Sequence, residues 1–110
     1  MNELFYTLQS LVMRGATEIF VSAGNPVTCR LNGRLRKLSH STEPSDTDAL
    51  FRIVGGPEQQ MNLQEYGSAE FSYDFGRMFS GNFSVFKQRG LTAIVFRRNN
   101  KALGTSKNAG

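Results

Sequence analysis

The sequence predicts an α+β domain, with one antiparallel sheet of about six strands and its helices on one side. Three observations lead there. An apolar stripe at helical spacing opens the chain. Strand-like alternation then comes in two groups of three, separated by two short helical stretches. The second group closes on Asn82 to Arg98, NFSVFKQRGLTAIVFRR, where two apolar runs, Phe83–Phe86 and Leu91–Phe96, flank Lys87-Gln88-Arg89-Gly90 and are followed by Arg97 and Arg98. That pattern is a β-hairpin with a basic turn and a basic exit. The hairpin is expected to form the middle of the core and to place arginines at its edge.

Composition bounds the answer. A chain of 110 residues fits one domain, taken as residues 1–98 with a flexible tail at 99–110. The hydrophobic fraction of 39% is modest, but nine Phe can nucleate a core. Thirteen Lys and Arg against nine Asp and Glu give a net charge of +4, which permits an anionic partner without requiring one. Cys29 is the single cysteine and His40 the single histidine, so neither a disulfide nor a zinc site has enough ligands, and a reducing compartment is the default. The opening MNELFYTLQSLVMRG carries Glu3 and no long apolar run, unlike a secretory signal or a membrane span.

In chain order, Leu4, Leu8, Leu11 and Val12 fall at i, i+4, i+7 and i+8 with Phe5 alongside, giving a helix from Asn2 to Arg14 capped by Asn2 and ended by Arg14-Gly15. Its polar face is not basic, so the stripe reads as a core face rather than a membrane-surface helix. Thr17–Ser22 is a strand with Ile19 and Val21 inward, and Ala23-Gly24-Asn25-Pro26 a turn. Val27–Leu31 alternates as the next strand. Asn32-Gly33 is the tight-hairpin dipeptide, because both turn positions need positive φ. Arg34–Leu38 follows as an edge strand and Ser39–Pro44 as a polar loop. The cluster Arg30, Arg34, Arg36 and Lys37 is a candidate surface for an anionic partner, set against the simpler reading of an edge protected by charge.

Ser45 and Asp48 have capping-box spacing before a helix over Asp46–Val54, with Leu50, Ile53 and Val54 inward. Gly55-Gly56 ends it, and Pro57 opens another helix through Met61 and Leu63 to about Glu65. Ala69–Phe75 alternates strongly, Phe71, Tyr73 and Phe75 on one face and Glu70, Ser72 and Asp74 on the other. Met78–Phe86 is the next strand, in which Gly81 permits a bulge or a close backbone approach. Leu91–Arg97 is apolar on both faces, hence central.

The chain has no G-x-x-x-x-G-K-[ST], CxxC, HExxH or G-x-S-x-G, and Gly55-Gly56 lacks the rest of a phosphate loop. His40 has no acid and nucleophile pointed to beside it. Glu70 and Asp74 read as solvated strand charges and Cys29 as an inert core thiol. The chain alone is therefore not expected to be an enzyme.

Gly15-Ala16-Thr17-Glu18-Ile19-Phe20-Val21, Gly24-Asn25-Pro26, Arg30-Leu31-Asn32-Gly33, Glu70-Phe71-Ser72-Tyr73 and the Val85-Phe86, Arg89-Gly90, Val95-Phe96-Arg97 hairpin stand in the order and spacing of one family. Together, over about residues 2–98, they resemble the N-terminal domain of the type IV pilus and type II secretion ATPases, most closely the twitching-motility retraction branch. That family reads G-A-S-D-(L/I)-H-(L/I), then G-x-P, R-x-(D/N)-G-x-(L/V) and D-F-S-(F/Y). The resemblance implies a PAS-like fold and a non-catalytic role. It implies packing on a RecA-like ATPase domain of the same or a neighbouring subunit, in a homo-hexameric ring that binds ATP and Mg. It implies a cytoplasmic place peripheral to the inner membrane, with indirect contact to the pilus or secretion platform. Arginines of the last strands would sense the nucleotide, which assigns that task to Arg89 and Arg97, since a guanidinium is permanently charged and forks onto phosphate. This chain departs from the pattern at Glu18 and Phe20, where the family has Asp and His, and at Asn82, where it often has Arg. The domain would be part of an ATPase if the native protein continues past Gly110. Two other readings stay open on the residues alone: a free-standing PAS-like ligand sensor or interaction module, and a nucleic-acid-binding module built on the basic cluster.

Overall fold

A computed structural model describes residues 3–76 and 79–99. The elements run α1 Glu3–Met13, β1 Ala16–Ser22, β2 Pro26–Leu31, β3 Arg34–Ser41, α2 Pro44–Val54, α3 Pro57–Tyr66, β4 Ser68–Phe75, β5 Phe79–Gln88 and β6 Leu91–Arg98. The six strands form one antiparallel sheet in the order β3-β2-β1-β6-β5-β4. The expected α+β architecture is therefore observed, with β6 central and β3 at an edge. The proposed N-cap Asn2, Met78 and the tail from residue 100 lie outside the described residues. Asn99, assigned to the tail, is held to the sheet, its amide donating to the Ser80 carbonyl at 2.9 Å.

The hairpins form where their dipeptides can take left-handed backbone. Asn32-Gly33 joins β2 to β3 at φ 54° and 78°, and Arg89-Gly90 joins β5 to β6 at 54° and 80°. Both are two-residue turns whose twist matches the flanking strands. Lys87 and Gln88, expected in the turn, instead extend β5 and pair with Thr92 and Leu91.

Leu4, Leu8, Leu11 and Val12 of α1 are buried against Ile19, Val21, Val27 and Cys29 from β1 and β2, as the stripe predicts. The other half of the core is aromatic. Phe83 and Phe96, both fully buried, pack at 4.9 Å between ring centroids, and Phe75 meets Phe96 edge-on at 5.3 Å. Gly81 is the close approach that the sequence suggested. A Cβ there would lie 2.3 Å from the Arg97 carbonyl oxygen and 2.4 Å from Phe96 Cζ.

Three local expectations are corrected. β3 runs on to Ser41, which pairs with Pro26 across an irregularity before Thr28. Its polar sequence is that of an edge strand wet on its outer side, not of a loop. The cap of α2 is Glu43 rather than Ser45: Pro44 takes the first helical position, where a missing N–H costs nothing, and the Glu43 amide donates to Asp46 Oδ2 at 3.2 Å. The inward face follows the i, i+3, i+4, i+7 repeat that starts at Thr47. Thr47, Leu50, Phe51 and Val54 face inward, while Ile53, and Met61 on α3, face solvent at 39% and 63% exposure.

Candidate functional site

All three helices cover one face of the sheet; the other is open. The strand registers fix what the open face displays. One row crosses it as Leu35, Arg30, Glu18, Arg97, Asn82 and Ser72, each beside the next on a neighbouring strand. The row next to it is Lys37, Thr28, Phe20, Val95, Ser84 and Glu70. Half-buried Phe20, Val95 and Phe86 give this face an apolar middle between polar flanks.

The first row holds the chemistry. Glu18 sits on β1 between two guanidinium groups. Arg97 Nε donates to its Oε2 at 2.9 Å and Arg30 Nε to its Oε1 at 3.1 Å. The hydrogen bond from Arg97, and then that from Arg30, hold the Glu18 carboxyl below the ordinary carboxylate range. Beyond Arg97, Ser72 Oγ donates to Asn82 Oδ1 at 3.1 Å. Two cations share one anion, so the triad keeps a net positive charge. Each arginine spends one of its five N–H groups on Glu18, which leaves the forked end of Arg97, two-thirds exposed, for an incoming oxyanion.

The structure separates residues that the sequence grouped. Arg89 is at the tip of the β5–β6 hairpin, in the turn, whereas Arg97 pairs with Asn82 at the other end of β5. Six residues of strand put about 20 Å between them, too far to hold one phosphate. The basic cluster also divides. Arg30 and Lys37 are on the open face, and Arg30 is engaged by Glu18; Arg34 and Arg36 pair with Leu31 and Cys29 and belong to the helix side of the edge. Cys29 is buried, and burial raises its thiol pKa, as befits an inert core position. Glu70 and Asp74 are exposed on the open face of β4. The centre of the interior between sheet and helices is taken up by side chains, Phe83, Phe96, Leu8, Ile19 and Leu50 chief among them, and at its edge Leu4, Thr7, Val27, Leu38 and Thr42 line a cavity of about 310 Å³. Among the described residues no group of His, Cys, Asp or Glu could hold a metal.

Sequence reasoning missed the role of Glu18. The residue stood out only as a departure from the family pattern. Of its two partners, Arg97 lies 79 positions away, and only the β1–β6 pairing brings the two together.

No family model matches the chain. The Type IV pilus ATPase PilU of Pseudomonas aeruginosa is 26% identical over 92 residues, covering 83% of this chain and 24% of PilU. Among solved structures, the pilus retraction motor PilT with bound ADP superimposes with a TM-score of 0.75 at 22% identity, over 88% of this chain and 29% of that one. The fold is that of the N-terminal domain of type IV pilus and secretion ATPases. The ATPase DotB of Legionella pneumophila shares it, with a TM-score of 0.68 and 20% identity over 89% of this chain and 29% of DotB. DotB of Yersinia pseudotuberculosis gives 0.68 at 16% identity, over 89% of this chain and 30% of that chain. The chain thus spans about a quarter of the length of the curated pilus ATPase it matches. Against this pilus-ATPase domain pattern, Glu18 and Asn82, two of the positions where the sequence departs, are the two register neighbours of Arg97.

Proposed function

We propose that the chain is the non-catalytic N-terminal domain of a type IV pilus or secretion ATPase, packing on a RecA-like ATPase domain in a hexameric ring. In this reading Arg97 presents its free fork to the phosphates of ATP held with Mg by that neighbour, and Glu18 aims it. Arg89, at the far end of the hairpin, contacts the partner protein or solvent. The domain works in the cytoplasm against the inner-membrane platform of the machine; among the described residues no helix is long and apolar enough to cross a membrane. The observation that carries the reading is the agreement of sequence and fold with PilU and PilT over most of this chain.

The test mixes the purified chain with a cognate RecA-like ATPase core. Calorimetry with and without ATP reads the complex, and phosphate release reads turnover. The expected result is a complex that tightens with ATP, with Arg97→Ala abolishing the tightening and Arg89→Ala leaving it. No complex, or a complex indifferent to both nucleotide and Arg97, overturns the proposal.

A further inference from the structure

The two edges of the sheet carry opposite charge. β3, RLRKLSHS, has Arg34, Arg36 and Lys37, all exposed, and no acid. β4, SAEFSYDF, has Glu70 and Asp74, both exposed, and no base. Each strand is hydrogen-bonded on one side only, so each presents a row of open main-chain groups. Charge ordinarily protects such edges, because like meets like. Here that holds for symmetric pairing, β3 on β3 or β4 on β4, and fails for β3 on β4.

We propose that this chain associates head-to-tail, the acidic β4 edge of one copy adding antiparallel to the basic β3 edge of the next. Topology makes the pairing geometrically natural. Strand direction alternates through all six strands, so β3 and β4 of one copy run in opposite directions. A second copy in the same orientation therefore brings its β3 alongside β4 in antiparallel sense. The register agrees as well. The row that begins at Lys37 ends at Glu70, and the row behind it begins at Arg36 and ends at Phe71. Continuing both rows into the next copy without stagger sets Glu70 against Lys37, an opposite-charge cross-strand pair. The same register sets the half-buried ring of Phe71 against the Arg36 guanidinium. Such an interface uses different patches on the two copies, so it generates rings or open strings rather than a closed dimer. It requires no ATPase partner and stands apart from the function proposed above.

Sedimentation velocity of the purified chain tests it. Dimers and larger species should grow with concentration at low salt and fall away as salt rises from about 0.01 to 0.15 M, where the screening length drops from about 30 to 8 Å. Glu70→Lys with Asp74→Lys makes both edges basic; Arg36→Glu with Lys37→Glu turns the β3 edge acidic. Each variant alone should self-associate at least about tenfold more weakly, and mixing the two should restore association. Circular dichroism confirms that both variants fold. A wild-type chain that stays monomeric at every concentration overturns the proposal and leaves the edges to another protein. Association that neither variant weakens, or that mixing does not restore, overturns it too.

Discussion

At the scale of single residues, Glu18 is the most informative position. Its carboxylate is stabilised in the folded state by Arg97 and Arg30, so its folded pKa lies below its unfolded value. The stability it contributes is therefore complete above the unfolded carboxylate range and is lost as pH falls through the lowered folded value. Glu18→Gln should cost no more than about 1 kcal/mol at neutral pH, the range of solvent-exposed pairs. Urea titrations of both proteins should show that difference shrinking toward zero in acid. Arg89 makes a complementary case. It is a non-glycine residue at φ 54°, a conformation that Asn adopts more readily. Arg89→Asn should raise stability by about 0.5 kcal/mol in the same titration, and, on the proposed function, leave ATP-dependent docking intact.

At the scale of elements, the sequence was read correctly where a period and a boundary signal agreed. The stripe of α1, the alternation of β4 and the Asn32-Gly33 turn each have both, and each is observed as expected. It misled where one signal had two meanings. Ser39 and Ser41 are as polar in an edge strand as in a loop, and the Ser45–Asp48 spacing imitates a capping box two residues after the true cap, Glu43, inside the first turn of a helix that Pro44 already opens. The candidate site was less legible than the fold. Its residues lie on five strands, β2, β1, β6, β5 and β4, and the row of Arg30, Glu18, Arg97, Asn82 and Ser72 is completed by the β1–β6 pairing, whose strands are remote in sequence. Within β5, Gly81 is fixed by contact rather than by turn geometry. Gly81→Ala would drive a methyl group into the β6 backbone and the Phe96 ring. A loss of about 1–3 kcal/mol, the range for overpacking, is expected in thermal or urea unfolding, with the register of Arg97 against Asn82 disturbed as a readable second effect.

At the scale of the whole molecule, two hairpin systems meet at one seam. β1 to β3 form one half of the sheet and β4 to β6 the other, and only β1–β6 joins them. Phe96 and Ile19 pair directly across that seam, and Phe83 backs Phe96. Phe96→Ala should therefore cost about 3–5 kcal/mol, a large part of the 5–15 kcal/mol that holds a domain together. Because the seam couples the halves, tyrosine fluorescence and far-UV dichroism should report one coincident transition, moved to lower denaturant. The Phe79 ring, with Arg98 4.4 Å over its centroid, should stay in place until that transition. The seam also has a meaning during synthesis. β1 is made early, and the strand that covers its free side is the last to be made. Until β6 leaves the ribosome, Ile19 and Val21 have a paired strand on one side and none on the other. At about 5–20 residues per second the nascent chain carries that bare apolar edge for several seconds, a window in which a chaperone, or the same strand on a neighbouring polysome chain, can reach it before its own C-terminal half does.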